Sequence, residues 1–130
     1  MSEPSTASPA VAAAPGAPAV RLRLRITRDG HVAVGPGKID LLEAVQRTGS
    51  ITAAAKRLGM SYRRAWLLLD ELNAGLREPA VESAQGGSHG GGSRLTAAGH
   101  ELVRLYREVE HTALRACADD IERLKNLLVR

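Results

Sequence analysis

The sequence predicts a mainly α-helical fold with a small β component. Three observations carry that prediction. Residues 36–76 hold three helix-length stretches whose apolar residues recur at three- and four-residue intervals. A glycine-rich stretch follows, bracketed by Val81 and Leu95 as the strands of a hairpin would be. A last apolar stripe then runs from Leu102 past Ala116, along a helix longer than so small a core can cover.

A chain of 130 residues argues for one domain. With no Phe, one Trp and two Tyr, its core must be aliphatic. A net charge of +4 permits nucleic acid as a partner without demanding it. The lone Cys117 excludes an internal disulfide and fits a reducing, cytoplasmic setting. No apolar run reaches membrane-spanning length, so no membrane partner is expected.

Residues 1–20 hold four of the six prolines. The stretch lacks the basic start of a signal peptide, and Pro9, Pro15 and Pro18 interrupt its apolar part. It reads as a disordered Pro/Ala-rich tail. "RLRLRIT" then alternates, with Arg21, Arg23 and Arg25 opposite Leu22, Leu24 and Ile26. That predicts a half-buried strand whose arginine face could touch DNA, though a solvated face is the preferred reading. Asp29-Gly30 signals a tight turn into a return strand, "HVAV".

Pro36 and Gly49 punctuate the first helix, and Ile39, Leu42 and Val45 form its inner stripe. Ser50 caps the second helix, where Ile51, Ala54, Ala55 and Leu58 share a face. Gly59 suits a left-handed helix end. Ser61 caps the third helix, which runs to about Leu76 and cannot pass far beyond Pro79. Beyond it, five of the 13 glycines (Gly86, Gly87, Gly90, Gly91 and Gly92) predict a hairpin with a mobile tip. From Ala97 to about Leu128 one long helix is expected.

Two short helices joined by a glycine-containing turn, the second with basic residues at its start, make a helix-turn-helix. Between Glu43 and Asp70 there is no acid, while Arg47, Lys56, Arg57, Arg63 and Arg64 are all basic. This local concentration says more than the modest net charge. On the third helix Ala65, Leu69, Leu72 and Leu76 point inward, and Arg63, Arg64 and Leu67 point away. Arginine can grip guanine edges, and leucine can touch a thymine methyl. Lys56 and Arg57 suit phosphates. Tyr62 suits either packing or DNA contact, and Trp66 is expected to pack. The hairpin becomes the wing of a winged helix, with His89 and Arg94 as its candidate cations.

Enzyme chemistry finds no support. His31, His89, His100 and His111 lack metal-ligand spacing with one another or with Cys117. His100 and His111 read as a solvated pair, and Cys117 as a small core or interface residue. No nucleophile triad or carboxylate pair emerges, so no catalytic residue, metal or cofactor is expected.

"GPGKIDLLEAVQRTGSITAAAKRLGMSYRRAWLLLDELN", followed by "GGSHGGGSRLTAAGHELVRLYRE", resembles the N-terminal domain of ModE-type molybdate-responsive transcriptional regulators. "GSITAAAKRLGMS" and "LTAAGHEL" are also similar to the wider LysR group. The resemblance covers about residues 20–110 and implies a DNA-binding regulator. It places Ser61, Tyr62, Arg63 and Arg64 on the DNA-reading helix, 86–94 on the wing, and the last helix at a dimer interface. Molybdate-sensing regulators of this type carry C-terminal oxyanion-binding domains. The sequence stops at Arg130, so direct molybdate binding is not expected of it.

The expected organisation is a tail over 1–20, a winged helix-turn-helix over 21–96 and a dimerisation helix over 97–130. Duplex DNA and a second copy of the chain are the expected partners. The DNA contacts are expected from Ser50, Thr52, Lys56, Arg57, Ser61, Tyr62, Arg63, Arg64, Leu67, His89 and Arg94. The dimer seam is expected at Leu102, Leu105, Val109, Ala113 and Ala116. The alternative function is a helical protein-interaction module that has lost DNA binding.

Overall fold

The structure, a computed structural model, describes residues 14–84 and 92–129. Strands β1 (Ile26–Arg28) and β2 (His31–Val34) form an antiparallel hairpin. Helices α1 (Pro36–Thr48), α2 (Ile51–Arg57) and α3 (Tyr62–Gly75) follow. A second hairpin, β3 (Val81–Ala84) with β4 (Gly92–Leu95), precedes α4 (Ala97–Ala116) and α5 (Ala118–Lys125). This is the winged helix-turn-helix that the sequence predicts. None of the helices described is long and apolar enough to cross a membrane.

The local signals act where expected. Pro36 opens α1, and Gly49 closes it with φ of 78°. Asp29 and Gly30 both hold positive φ, the geometry of a tight hairpin turn. Ser50 and Ser61 cap α2 and α3 by accepting from the Ala53 and Arg64 amides at 3.0 and 3.1 Å. Val81 pairs with Leu95, as the bracketing predicts.

The core lies among α1, α2, α3 and the start of α4. Ile39, Leu41, Leu42, Val45, Leu72 and Val103 are its largest fully buried side chains. Each contributes roughly 1.5–3 kcal/mol by leaving water. The wing is tied to this core by polar groups. The Asn73 Oδ1 accepts from the Ala80 and Val81 amides at 2.8 and 3.3 Å, and its Nδ2 donates to the Val81 carbonyl at 3.2 Å. Thr96 caps α4 by accepting from Gly99 N and donates to the Pro79 carbonyl at 2.6 Å. Gly99 is required where it stands, because a Cβ there would collide with the Ala80 carbonyl oxygen.

Three expectations are corrected. First, residues 21–25 form no strand. β2 is only four residues long before Pro36 opens α1, so the arginine-rich stretch has nothing to pair with. Leu24 nevertheless packs on the core, and its carbonyl accepts from the Tyr106 hydroxyl at 2.7 Å. Second, the last helix is broken. Cys117 leaves helical geometry at φ −104°, ψ 13°, and α5 starts afresh with Asp119 and Asp120 in its first turn, where acids suit the helix dipole. Third, His111 is half-buried, not solvated, and its Nε2 has no hydrogen-bond partner among the described residues. Of the two places expected for Cys117, core or interface, exposure removes the core.

The inward face of α4 is Gly99, Val103, Tyr106, Arg107 and Glu110. Arg107 is the hub. Its guanidinium bonds to Glu43 and Asp40 on α1 and to Glu110 on its own helix. Burial alone would lower its pKa, but the three carboxylates outweigh that and hold it firmly protonated. Burial, reinforced by the Glu110 charge and opposed by Arg107, raises the Tyr106 phenol above its usual pKa.

Candidate nucleic-acid interface

The acid-free stretch from residue 44 to 69 folds into the end of α1, all of α2 and the first half of α3. Ala65, Leu69 and Leu72 anchor α3 inward. The opposite side of α3 presents Tyr62, Arg63, Trp66, Leu67 and Asp70, all exposed. At 3.6 residues per turn these five share one face, with Arg64 on its flank.

Trp66 departs from expectation. It is 45% exposed rather than packed, and it stands beside Tyr62 at 53% and Leu67 at 42%. Its inner edge borders a cleft of about 130 Å³ lined by residues of α3 and the wing, including Asn73, Val81 and Ser93. The i, i+4 spacing of Tyr62 and Trp66 was the available signal, because it sets Trp66 off the buried register of Ala65, Leu69 and Leu72.

The other candidates divide by place. Thr52, Lys56, Arg57, Ser61, Arg63 and Arg64 are exposed, and Ser50 is half-buried. Both serine hydroxyl oxygens already accept a capping bond, which leaves each hydroxyl proton to donate. Arg57 lines a separate cleft with Arg47, Asp40, Glu43 and Arg107. The α1–α2 junction also seats the wing, since Ser93 N donates to the Gly49 carbonyl at 2.9 Å. On β4, Arg94 pairs with Glu82 across the wing at 3.0 Å and is exposed. His89 lies outside the described residues.

Of the expected dimer seam, Leu105 and Val109 are about half exposed. Leu102 and Ala113 are half-buried, and Ala116 is exposed. The five lie on one stripe of α4, set beside the inward face rather than on it.

Comparison with known proteins identifies the domain that holds this face. Residues 37–100 match the bacterial regulatory helix-turn-helix proteins of the LysR family. They form a LysR-type helix-turn-helix domain. Among curated proteins, the molybdenum transport protein ModE of Azotobacter vinelandii is 41% identical over 88 residues, which are 68% of this chain and 33% of that protein. The transcriptional regulator ModE of Yersinia pestis is 40% identical over 96 residues, or 72% of this chain and 36% of that one. The chain thus matches about a third of the length of these relatives. Among solved structures, that of a CbnR_DBD–DNA complex superposes with a TM-score of 0.53 at 27% identity, covering 68% of this chain and 95% of that one. The LysR-type domain spans α1, α2, α3, the wing and the start of α4, so it contains the exposed face of α3 described above.

Proposed function

We propose that the chain is a sequence-specific, duplex-DNA-binding transcriptional regulator that acts as a homodimer. One observation carries this reading: an acid-free basic segment displays Tyr62, Arg63, Trp66 and Leu67 on the open face of α3, flanked by Arg64. Arg63, Arg64 and Leu67 read base edges in the major groove. Tyr62 and Trp66 pack on sugars or thymine methyls. Ser50, Thr52, Lys56, Arg57 and Ser61 hold phosphates, with Arg94 and His89 of the wing alongside. The stripe Leu102, Leu105, Val109, Ala113 and Ala116 meets its copy in the partner. The name of the Azotobacter vinelandii relative, a molybdenum transport protein, supports targets among molybdenum-related genes.

A second reading, a helical interaction module without DNA binding, draws on the same exposed stripe of α4. A gel-shift series with duplex DNA, single-stranded DNA and RNA separates the two. Preference for duplex, followed by enrichment of one sequence from a random library, supports the regulator. Absence of any duplex binding together with a retained dimer favours the interaction module.

A further inference from the structure

The hairpin β1–β2 lies outside the helix-turn-helix, and the proposed reading gives it no part. It walls a groove of about 770 Å³ whose other side is α3. Arg23, Arg25, Arg28, His31 and Lys38 line it, with Leu68, Glu71 and Gly75 from α3. Lys38 is already engaged: its Nζ donates to the Val32 carbonyl at 2.7 Å and stands 3.6 Å from Glu71. Those two charges offset one another. Arg23, Arg25 and Arg28 are exposed, and none has an ion-pair partner among the described residues. Asp29 is the remaining acid in the lining, so the groove keeps a cationic excess.

The groove follows the flank of α3 beside the proposed reading face. On α3, Arg64, Leu68, Glu71 and Gly75 succeed one another at i, i+4, i+7 and i+11. The hairpin therefore runs beside the flank that carries Arg64. Guanidinium groups standing open to solvent along such a track suit a ligand that passes across them, not one enclosed between them. A phosphodiester backbone has that form, and it rewards each neutralising cation by releasing condensed counterions.

We infer that Arg23, Arg25 and Arg28 form a second phosphate-binding element, which grips duplex DNA outside the bases read by α3. This rests on the proposed function, and it adds a sequence-independent contact to it. These three arginines, two before the hairpin and one on β1, contribute affinity and salt dependence, while α3 contributes discrimination.

The test uses the full chain and a duplex selected from a random library. The duplex is prepared trimmed to its selected core, and again extended by about one helical turn, roughly 10 bp, on each side. Wild type binds the extended duplex more tightly and with a steeper salt dependence. Replacing Arg23, Arg25 and Arg28 together with Ala removes most of that gain, about tenfold or more at 0.1 M salt, and lowers the slope of log K against log salt by about 2–3. The core sequence preference and the melting temperature stay as in wild type, because the three side chains are exposed. Replacing the same three with Lys restores the gain. If the Ala variant keeps both the gain and the slope, the assignment of these arginines is wrong while the reading by α3 stands. If wild type binds neither duplex, both fall. If the Ala variant instead loses binding to an acidic protein and not to DNA, the groove belongs to that partner and the inference is overturned.

Discussion

At the residue scale, the side chains of α3 divide sharply into two jobs. Arg63 and Arg64 are open to solvent, and α3 can form without them, since its cap comes from Ser61 and its anchors are Ala65, Leu69 and Leu72. Arg63→Ala or Arg64→Ala is therefore expected to relax sequence preference, at a cost of about 1–3 kcal/mol where the side chain reads a base, and to leave the melting temperature unchanged. Lys56→Ala should weaken all duplexes alike and flatten the salt dependence. Binding curves on matched and mismatched duplexes check this, and full discrimination by both arginine variants would remove α3 from the reading role. Asn73 shows the opposite job. It satisfies two amides and a carbonyl where the chain leaves α3 for the wing. Asn73→Leu strands those groups, and about 1–3 kcal/mol should be lost for each one left unsatisfied and out of water. Chemical denaturation measures it, and a loss well under 1 kcal/mol would mean that water replaces the amide. The motif that ends in Asn73 was visible in the sequence, but its partners were not. They lie seven and eight residues on, in a turn without periodicity.

At the scale of elements, legibility followed the strength of local chemistry. Pro36, Gly49, Ser50, Gly59 and Ser61 each act through their own backbone or the next turn, so the three central helices could be placed from the sequence. The arginine-rich stretch at 21–25 could not, because a strand needs a partner and β2 ends before reaching it. The end of α4 was hidden for a different reason. Ala116-Cys117-Ala118 contains no breaker, and only the paired Asp119 and Asp120 hint at a new first turn. Periodicity also could not tell which stripe of α4 faces its own core. The chain buries Val103, Tyr106 and the charged Arg107 and Glu110, and it leaves Leu105 and Val109 half exposed. A charge at Val109 is therefore tolerable within one chain but costly in a seam between two. Val109→Glu is expected to give folded monomers by light scattering, with helix content retained. Its operator affinity should fall by about a hundredfold or more, because the second reading helix is no longer tethered. A variant that remains dimeric would move the interface off this stripe.

For the whole molecule, Arg107 joins two parts that the proposed function must hold at a fixed angle. α4 carries the proposed dimer stripe, and α1 supports α2 and the wing. The guanidinium spans them, with Asp40 and Glu43 on one side and Glu110 on the other. Arg107, Glu43 and Glu110 are all buried, so these three charges are largely shielded from water, while Asp40 stands half-exposed at the edge of the cluster. Removing only the cation leaves two buried carboxylates facing each other. Arg107→Ala should destabilise the fold by about 3–5 kcal/mol. Replacing the buried trio together, as Arg107→Met with Glu43→Leu and Glu110→Leu, should recover most of that loss, since well-packed apolar side chains can match or exceed a buried ion pair. The two outcomes separate stability from geometry. Ion pairs fix direction and apolar contacts slide, so the recovered triple variant should fold and dimerise yet tolerate altered half-site spacing. Wild type should prefer inverted repeats with half-site centres about 10 bp, or a multiple, apart. Denaturation curves and binding to a series of repeats with stepped spacing check both halves of the argument. If the triple variant keeps the wild-type spacing preference, the angle between reading unit and dimer helix is set by the apolar contacts of Val103 and Tyr106 instead.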